Sequence, residues 1–196
     1  MRTIICLNGE KFDFEFLPED YIIVCDGAYS HTKHIVKESV LLGDFDSLGY
    51  KPSNAIVYPV EKDYTDGELA IQYAARNGLD DLFFIYAGGL REDHFMGNLA
   101  LIQIAYKLRK RARLVTENAT VYYTEKPISL SVEVGSTISV VAIKDSVIRS
   151  SSGLKYEYNN TELRFATTLG ISNIALSENV VIDVESGGIF VFVNNK

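Results

Sequence analysis

The feature that most constrains the fold is a change in hydrophobic periodicity near residue 120. Before that point, short apolar runs alternate with stretches in which apolar residues recur every three or four positions. After it, only short apolar runs separated by turn residues remain. The first pattern is typical of buried parallel strands connected by helices, and the second of antiparallel strands connected by turns. We therefore predict two domains, residues 1–120 and residues 121–196.

In the first part, the pattern predicts a layered α/β domain with a mostly parallel sheet. Helices are expected over residues 69–76 and 93–110, with a weaker helix over residues 28–38. The predicted strands are residues 3–7, 21–25, 40–42, 55–58, 82–86 and 113–116.

In the second part, we predict a small C-terminal β-sandwich. Asn159 with Asn160, and residues 186–188, have the composition of hairpin turns. The predicted strands are residues 121–124, 137–143, 146–150, 154–158, 162–165, 180–184 and 189–193.

Composition excludes several classes of protein. A net charge of −7 argues against a nucleic-acid-binding protein, which presents a basic surface. Cys6 and Cys25 each lie in an apolar strand, so we expect buried thiols, no disulfide and a reducing, cytoplasmic location. Asn8, Glu10 and Lys11 interrupt the first apolar run, so we expect no signal peptide. No run is long enough for a membrane span.

Two carboxylates follow the third predicted strand. Asp44 and Asp46 lie in the stretch Gly-Asp-Phe-Asp-Ser at residues 43–47. The carboxyl end of a parallel strand is where ligands bind in α/β proteins. Two carboxylates so close repel each other unless a cation lies between them, and oxygen ligands of this kind suit Mg²⁺. A loop with solvated acids is the alternative interpretation.

A second acidic segment precedes the helix predicted at residue 69. Thr65 and Glu68 have the spacing of a capping box, and Asp66 would lie in the first helical turn, where the helix dipole favours it. Helix capping explains those three residues without any function. It does not explain Lys62 and Asp63, which are suited to a site for polyphosphate and metal.

A third polar segment contains Arg91, Asp93 and His94, and it follows the strand predicted at residues 82–86. Three acid-bearing segments therefore lie at strand-to-helix junctions. Because such junctions meet at one edge of a parallel sheet, we predict that the segments form one shared site.

Taken together, these motifs resemble those of the thiamine pyrophosphokinase family, whose architecture is also an α/β domain followed by a β-sandwich. The similarity runs almost from end to end, through residues 25–28, 43–47, 61–66, 91–94 with Asn98, and 170–173. It implies a Mg²⁺-dependent enzyme that transfers pyrophosphate from ATP to the hydroxyl of thiamine, giving thiamine diphosphate and AMP.

The resemblance also implies roles for individual residues. The metal ligands would be Asp44, Asp46, Asp63 and Asp66. Asp63 or Asp66 would accept the hydroxyl proton, and we favour Asp66. Lys62 and Arg91 would contact phosphate groups. The residues assigned to the nucleotide are Asp26, Gly27, Thr65, Asp93 and Asn98.

In the C-terminal part, the resemblance implies that Ser172 and Asn173 contact thiamine. In the family this contact comes from the partner subunit, so we expect a homodimer. Two other functions stay open at this stage. One is a Mg²⁺-dependent phosphohydrolase, and the other is a protein that binds nucleotide or thiamine without turnover.

Overall fold

The computed structural model describes residues 1–32 and 39–195. The chain divides into two compact units, Met1–Glu117 and Asn118–Lys196, close to the predicted boundary at residue 120. Each helix in the described part of the chain is too short or too polar to span a lipid bilayer.

Six parallel strands form the sheet of the N-terminal unit. They are β1 (Arg2–Cys6), β2 (Tyr21–Cys25), β3 (Val40–Gly43), β4 (Ala55–Val57), β5 (Asp81–Ile85) and β6 (Arg111–Val115). Their order is β6-β5-β1-β2-β3-β4, and each neighbouring pair runs parallel. The predicted α/β class is therefore confirmed. Because strands are added on both sides of β1, the carboxyl end of β1 lies at the point where open α/β sheets bind ligands.

The central strands are buried along consecutive residues. Ile4, Ile5 and Cys6 on β1 are each fully buried, as are Phe84 and Ile85 on β5. Since successive side chains of a strand point to opposite faces, both faces of these strands are covered. Burial of each large apolar side chain contributes about 2 kcal/mol of transfer free energy.

Three helices connect these strands: α1 (Tyr29–Thr32), α2 (Asp66–Arg76) and α3 (Glu92–Lys107). Of the helix predicted at residues 28–38, the described part forms the end of a 3₁₀ turn and the short α1, and the prediction for residues 33–38 lies outside the described residues. α2 begins at Asp66, before the apolar pattern that starts at residue 69. The predicted capping role of Thr65 is confirmed, because its Oγ1 accepts a hydrogen bond from the Glu68 N–H at 3.3 Å. α2 contacts β2, β3 and α3, and α3 also contacts β6.

The C-terminal unit contains antiparallel strands. They are β7 (Ala119–Thr124), β8 (Ile128–Ser131), β9 (Thr137–Ser152), β10 (Asn159–Leu163), β11 (Asn173–Ile174) and β12 (Asn179–Asn194). The order is β10-β9-β12-β7, with β11 paired to β9 and β8 paired to β12. An apolar cluster that includes Ile138, Ile148, Ile182 and Val191 forms the core of this unit.

Several sequence predictions for this unit were wrong. One long strand, β9, contains both strands predicted at residues 137–143 and 146–150. Another long strand, β12, contains both strands predicted at residues 180–184 and 189–193. The turn predicted at residues 186–188 is a bulged stretch of β12, in which Gly187 has a φ of +93° and the register to β9 shifts.

The hairpin between β9 and β10 also differs from the prediction. Asn159 and Asn160 lie inside β10, so the turn predicted there is wrong. The chain instead reverses through residues 153–158, where a strand was predicted. Strands β8 and β11 were not predicted.

Candidate active site

Three strands of the N-terminal unit end in residues with a left-handed backbone. Asp26 directly follows β2 and has a φ of 41°, Tyr86 directly follows β5 and has a φ of 55°, and Phe45 follows β3 with a φ of 60°. Each such conformation costs a non-glycine residue about 1–2 kcal/mol. The sheet therefore stores backbone strain at its carboxyl edge.

Three carboxylates meet at this edge. Asp26, Asp44 and Asp46 each offer one oxygen, and these oxygens lie within 4.8 Å of one another. The Asp46 N–H donates a hydrogen bond to Asp44 Oδ1 at 3.3 Å, and Ser47 Oγ donates to Asp26 Oδ2 at 2.5 Å. Asp26 Oδ1 is buried and has no hydrogen-bond partner among the residues that the structure describes. The structure thus brings the predicted pair together and adds Asp26, which the sequence assigned to the nucleotide.

Lys62 lies between two of the predicted acids. Its ammonium group forms an ion pair with Asp44 Oδ2 and lies 3.4 Å from Asp66 Oδ1. The side chains of Lys62, Asp44 and Asp66 are 13%, 11% and 19% exposed. Because water screens such a partly buried group poorly, the ammonium compensates much of the negative charge of both carboxylates.

The pKa values of the two acids beside Lys62 are shifted in opposite directions. Burial opposes ionisation of Asp44, but hydrogen bonds from Lys62 and the Asp46 N–H, together with the Lys62 charge, outweigh it and lower the pKa of Asp44. Burial raises the pKa of Asp66 to about 6, and the nearby Asp44 charge adds to the burial effect while Lys62 works against it. A carboxyl group with a raised pKa is suited to accept a proton near neutral pH.

A cavity of about 600 Å³ opens beside these groups. Its lining includes Asn8 after β1, Asp26 after β2 and Gly88 after β5. It also includes Lys62, in the segment before α2, and Asp66, the first residue of α2. This volume falls in the usual range for a small-molecule site. All the lining residues belong to the N-terminal unit.

The first turns of α3 form another wall of the cavity. Arg91 makes two hydrogen bonds to Asp93, from Nε to Oδ1 at 3.1 Å and from Nη2 to Oδ2 at 2.6 Å. The hydrogen bonds from Arg91 lower the pKa of Asp93, although both side chains are exposed. Asn98 Nδ2 donates to the Ala87 carbonyl at 2.8 Å. Arg91 can therefore turn from Asp93 to an anionic ligand at little cost, whereas Asn98 ties α3 to the end of β5.

Gly27 allows neighbouring strand ends to approach closely. A Cβ atom at this position would lie 2.3 Å from Asn8 Nδ2 and 2.6 Å from Ser47 Oγ, the hydroxyl that holds Asp26. The resemblance assigned this glycine to the nucleotide, but it is not among the residues that line the cavity. In the structure, the space is taken by side chains that follow β1 and β3.

The remaining predicted residues divide into two groups. Thr65 lines the cavity, as do Asp93 and Asn98. Asp63 is exposed and belongs neither to the three-carboxylate group nor to the cavity wall, so its assignment as a ligand stays a prediction. The sequence analysis did not identify Asn8 as a residue of the site. Its position directly after the first predicted strand and before a glycine is the signal that could have indicated it.

The predicted thiamine residues lie in the C-terminal unit and differ in exposure. Ser172 is exposed, has a φ of 62°, and donates its N–H to Ser139 Oγ at 3.0 Å. Asn173 begins β11 and is buried, and its side chain bonds to other residues of the same unit.

Comparison with known proteins agrees with this arrangement. Residues 15–115 match the family model described as "Thiamin pyrophosphokinase, catalytic domain". Residues 126–189 match the model described as "Thiamin pyrophosphokinase, vitamin B1 binding domain". The chain belongs to the thiamin pyrophosphokinase family. The three-carboxylate group and Lys62 lie in the part of the chain that matches the catalytic domain of that family. Most of the residues that line the cavity belong to the same part.

Individual members of the thiamin pyrophosphokinase family show the same relationship. Thiamine pyrophosphokinase of Bacillus subtilis is 30% identical over 147 residues, which cover 67% of this chain and 66% of the relative. Thiamin pyrophosphokinase 1 of Caenorhabditis elegans is 28% identical over 211 residues, covering 95% of this chain and 86% of the relative. The crystal structure of the B. subtilis enzyme superposes with a TM-score of 0.88 at 22% identity over 100% of both chains, which shows a common fold.

Proposed function

We propose that the protein is a thiamine diphosphokinase, which transfers a pyrophosphoryl group from ATP to the hydroxyl group of thiamine. The products are thiamine diphosphate and AMP. The observation that carries the proposal is the convergence of Asp26, Asp44 and Asp46 beside Lys62, at the edge of a cavity large enough for substrates. Family membership supports the choice of reaction.

The donor set fits Mg²⁺. All three groups of the cluster are carboxylates, the hard oxygen ligands that this ion prefers. Within residues 1–32 and 39–195, no hydrogen-bond partner reaches the buried Asp26 Oδ1. Ligands on opposite sides of a Mg²⁺ ion stand about 4 Å apart, so small side-chain movements would suffice for coordination. We propose Asp26, Asp44 and Asp46 as the ligands, with Asp66 beside them. When bound, Mg²⁺ would offset the negative charge of the ATP phosphates.

The reaction forms one bond and breaks one. The hydroxyl oxygen of thiamine attacks the β-phosphorus of ATP, and the bond from that phosphorus to the bridging oxygen of the α-phosphate breaks, so AMP leaves with that oxygen. We assign acceptance of the hydroxyl proton to Asp66, whose raised pKa and place in the cavity wall suit it. Positioning and charge stabilisation contribute most of the rate enhancement in phosphoryl transfer.

Charged residues of the cavity bind and orient the phosphates in this proposal. Arg91 is exposed at the cavity wall and would exchange Asp93 for phosphate oxygens, a pairing that guanidinium geometry favours. Lys62 would exchange part of its contact with Asp44 for the same oxygens. Thr65, Asp93 and Asn98 would complete the nucleotide site.

For the C-terminal unit we propose thiamine binding, with Ser172 as a direct contact, and a two-layered β-sandwich bent at the bulge of β12. We also propose a homodimer. The match of residues 126–189 to the vitamin B1 binding domain supports the thiamine-binding role. Light scattering of the purified protein tests the dimer, because a mass of one chain would contradict it.

An assay of AMP release tests the reaction. Purified protein is incubated with ATP, Mg²⁺ and thiamine, and AMP and inorganic phosphate are both measured, with thiamine omitted as the control. We expect AMP and thiamine diphosphate in equal amounts only when thiamine is present. Release of inorganic phosphate without thiamine would instead identify a phosphohydrolase, and thiamine binding without any product would identify a binding protein.

A further inference from the structure

The end of β3 and the loop after it lie closely around Asp26, which directly follows the neighbouring strand β2. Gly43 ends β3, and a Cβ at this position would lie 3.0 Å from Asp26 Cβ and 3.1 Å from Asp26 Cα. Further along the same loop, Ser47 Oγ donates a hydrogen bond to Asp26 Oδ2 at 2.5 Å. Gly43 therefore allows the backbone of Asp26 to come close to β3, and Ser47 holds its carboxylate.

The turn that carries Ser47 is anchored in the core of the N-terminal unit. The Leu48 N–H donates to the Phe45 carbonyl at 3.3 Å, Phe45 is 2% exposed, and Leu48 packs against the same apolar cluster. Asp46 and Ser47 lie between these two anchors and are both exposed. Because Ser47 buries little surface of its own, its substitution should remove the hydroxyl contact without opening a cavity in the core.

Gly27 leaves the space that the Ser47 hydroxyl occupies. A Cβ at Gly27 would lie 2.6 Å from Ser47 Oγ, closer than real Cβ atoms approach another heavy atom. The hydrogen bond to Asp26 therefore depends on a glycine directly after the aspartate. Two chain segments that are distant in sequence are fitted to each other at this one hydroxyl group.

The three carboxylates of the group differ in what holds them. Asp44 is paired with the Lys62 ammonium, whereas Asp26 is held by a hydroxyl group. A hydroxyl donor fixes the orientation of a carboxylate but brings no positive charge that would compete with a bound cation. With Oδ2 held by Ser47, the buried Oδ1 still lacks a hydrogen-bond partner in the part of the chain that the structure describes.

We propose that Ser47 is a positioning residue for the metal site, which acts by holding Asp26 Oδ2 so that the other oxygen of this carboxylate is free to bind the cation. Rotation of an aspartate carboxylate about its last bond is otherwise broad, so the hydroxyl selects one orientation in advance. Ser47 itself is not a ligand in this proposal. The inference rests on the function proposed above, and in particular on Asp26 as a metal ligand.

Binding of Mn²⁺ without nucleotide tests the inference independently of turnover. Free Mn²⁺ is measured by electron paramagnetic resonance during titration of the wild type, Ser47→Ala and Ser47→Thr. We expect Ser47→Ala to raise the Kd for Mn²⁺ about tenfold, because loss of a group that orients a ligand usually weakens metal binding by about that factor or more. Ser47→Thr keeps the hydroxyl and should stay within about threefold of the wild type. If the threonine variant binds as weakly as the alanine variant, or if both bind as the wild type does, the inference is wrong.

A double-mutant cycle tests whether Ser47 acts through Asp26. In the Asp26→Ala background there is no carboxylate to hold, so adding Ser47→Ala should change the Kd for Mn²⁺ by less than about twofold. An equal increase in both backgrounds would mean that Ser47 acts on another group, and it would overturn the inference.

Two further measurements separate positioning from a general structural role. Ser129→Ala is the matched control, because Ser129 is also exposed and donates to a side-chain oxygen, Asn179 Oδ1, at 2.7 Å in the other unit. It should leave the Kd for Mn²⁺ unchanged. The Tm of Ser47→Ala in EDTA should lie within about 3 °C of the wild type. A larger fall in Tm, with a Kd for Mn²⁺ equal to that of the wild type, would identify Ser47 as a purely structural residue.

Steady-state kinetics links the metal site to turnover. Ser47→Ala should need about tenfold more Mg²⁺ for half-maximal AMP release, and excess Mg²⁺ should restore most of its kcat. A kcat that stays low at every Mg²⁺ concentration would contradict a role limited to positioning.

Failure of the inference differs from failure of the proposed function. If the wild type binds Mn²⁺ but releases no AMP with thiamine, the proposed function fails and the binding data still decide the role of Ser47. If the wild type is active but Ser47→Ala binds Mn²⁺ normally, only the role of Ser47 fails. A wild type that binds no Mn²⁺ would overturn the metal site and this inference together.

Discussion

Asp44 and Lys62 form an ion pair at the carboxyl edge of the N-terminal sheet, although Asp44 directly follows β3 and Lys62 lies in the segment before α2. The same ammonium lies 3.4 Å from Asp66 Oδ1. Lys62 therefore keeps two neighbouring acids close together by neutralising part of their charge. In the proposed function, this preorganisation of the acidic groups would lower the cost of binding a substrate or metal ion.

Replacing Lys62 by methionine should destabilise the metal-free protein. The substitution leaves two partly buried carboxylates without their cation, so we expect a loss of about 2 kcal/mol in the free energy of unfolding in EDTA. Added Mg²⁺ should raise the Tm of this variant more than that of the wild type. Lys110→Met is the matched control, because Lys110 pairs with the largely exposed Asp80 and should cost under about 1 kcal/mol. Equal losses in the two variants would contradict the role of Lys62.

Replacing Asp46 by asparagine should abolish turnover without unfolding the protein. Asp46 is an exposed member of the three-carboxylate group, so the loss of its charge affects the metal site more than the core. We expect kcat to fall at least about a hundredfold with little change in Tm. Asp80→Asn removes a carboxylate at the start of β5, on the opposite edge of the sheet, and should retain activity. Near-normal turnover of Asp46→Asn would remove the central assignment.

The raised pKa of Asp66 predicts how stability depends on pH in the metal-free protein. Its pKa of about 6 in the folded state lies above the ordinary value of about 3.9, so the folded state holds this proton more tightly. The resulting stabilisation is fully present below about pH 4 and is lost as the pH rises to about 6 and beyond. Asp66→Asn should therefore be about 1–3 kcal/mol more stable than the wild type at pH 8, and equal to it at pH 4. Urea unfolding in EDTA at both pH values measures this difference, and an equal gain at both would exclude the titration of Asp66 as its cause.

Replacing Gly9 by alanine should distort the cavity. A Cβ at this position would lie 2.3 Å from the Tyr86 carbonyl oxygen and 2.6 Å from that of Gly88, and backbone atoms cannot move aside as a flexible side chain can. We expect a loss of about 2–3 kcal/mol in stability and weaker nucleotide binding. Gly97 in α3 is the comparison, because a Cβ there meets nothing within 4 Å. Gly97→Ala should stabilise the helix by about 0.5–1 kcal/mol, as seen by chemical denaturation.

The N-terminal unit could be predicted well because its signals are local and agree with each other. Residues 21–25 match β2 at both ends, and the helix predicted to end at residue 76 does end there. The acids at residues 44 and 46 could be placed at a ligand site because the carboxyl ends of parallel strands share one edge. Asp26 as a third member of that group could not be predicted, since this depends on the order of β2 and β3 in the sheet.

The C-terminal unit was predicted less well for a physical reason. Glycine and serine at residues 186–188 are typical both of a hairpin turn and of a bulge, and only pairing with β9 distinguishes the two. The Asn173 side chain is hydrogen-bonded to the backbone of Tyr156, which lies 17 positions away in the chain. A single sequence carries no record of that contact, so Ser172 and Asn173 looked equivalent.

The left-handed backbone of Asp26 has an evolutionary consequence. Glycine adopts such a conformation freely, so Asp26→Gly would relieve about 1 kcal/mol of strain while deleting one of the three carboxylates. If Asp26 is a metal ligand as proposed, a laboratory selection for heat resistance alone would favour this change and yield a more stable but inactive protein. Such a selection should therefore also require the host cells to grow without external thiamine diphosphate. The aspartate would then be retained, although it lowers the stability of the protein.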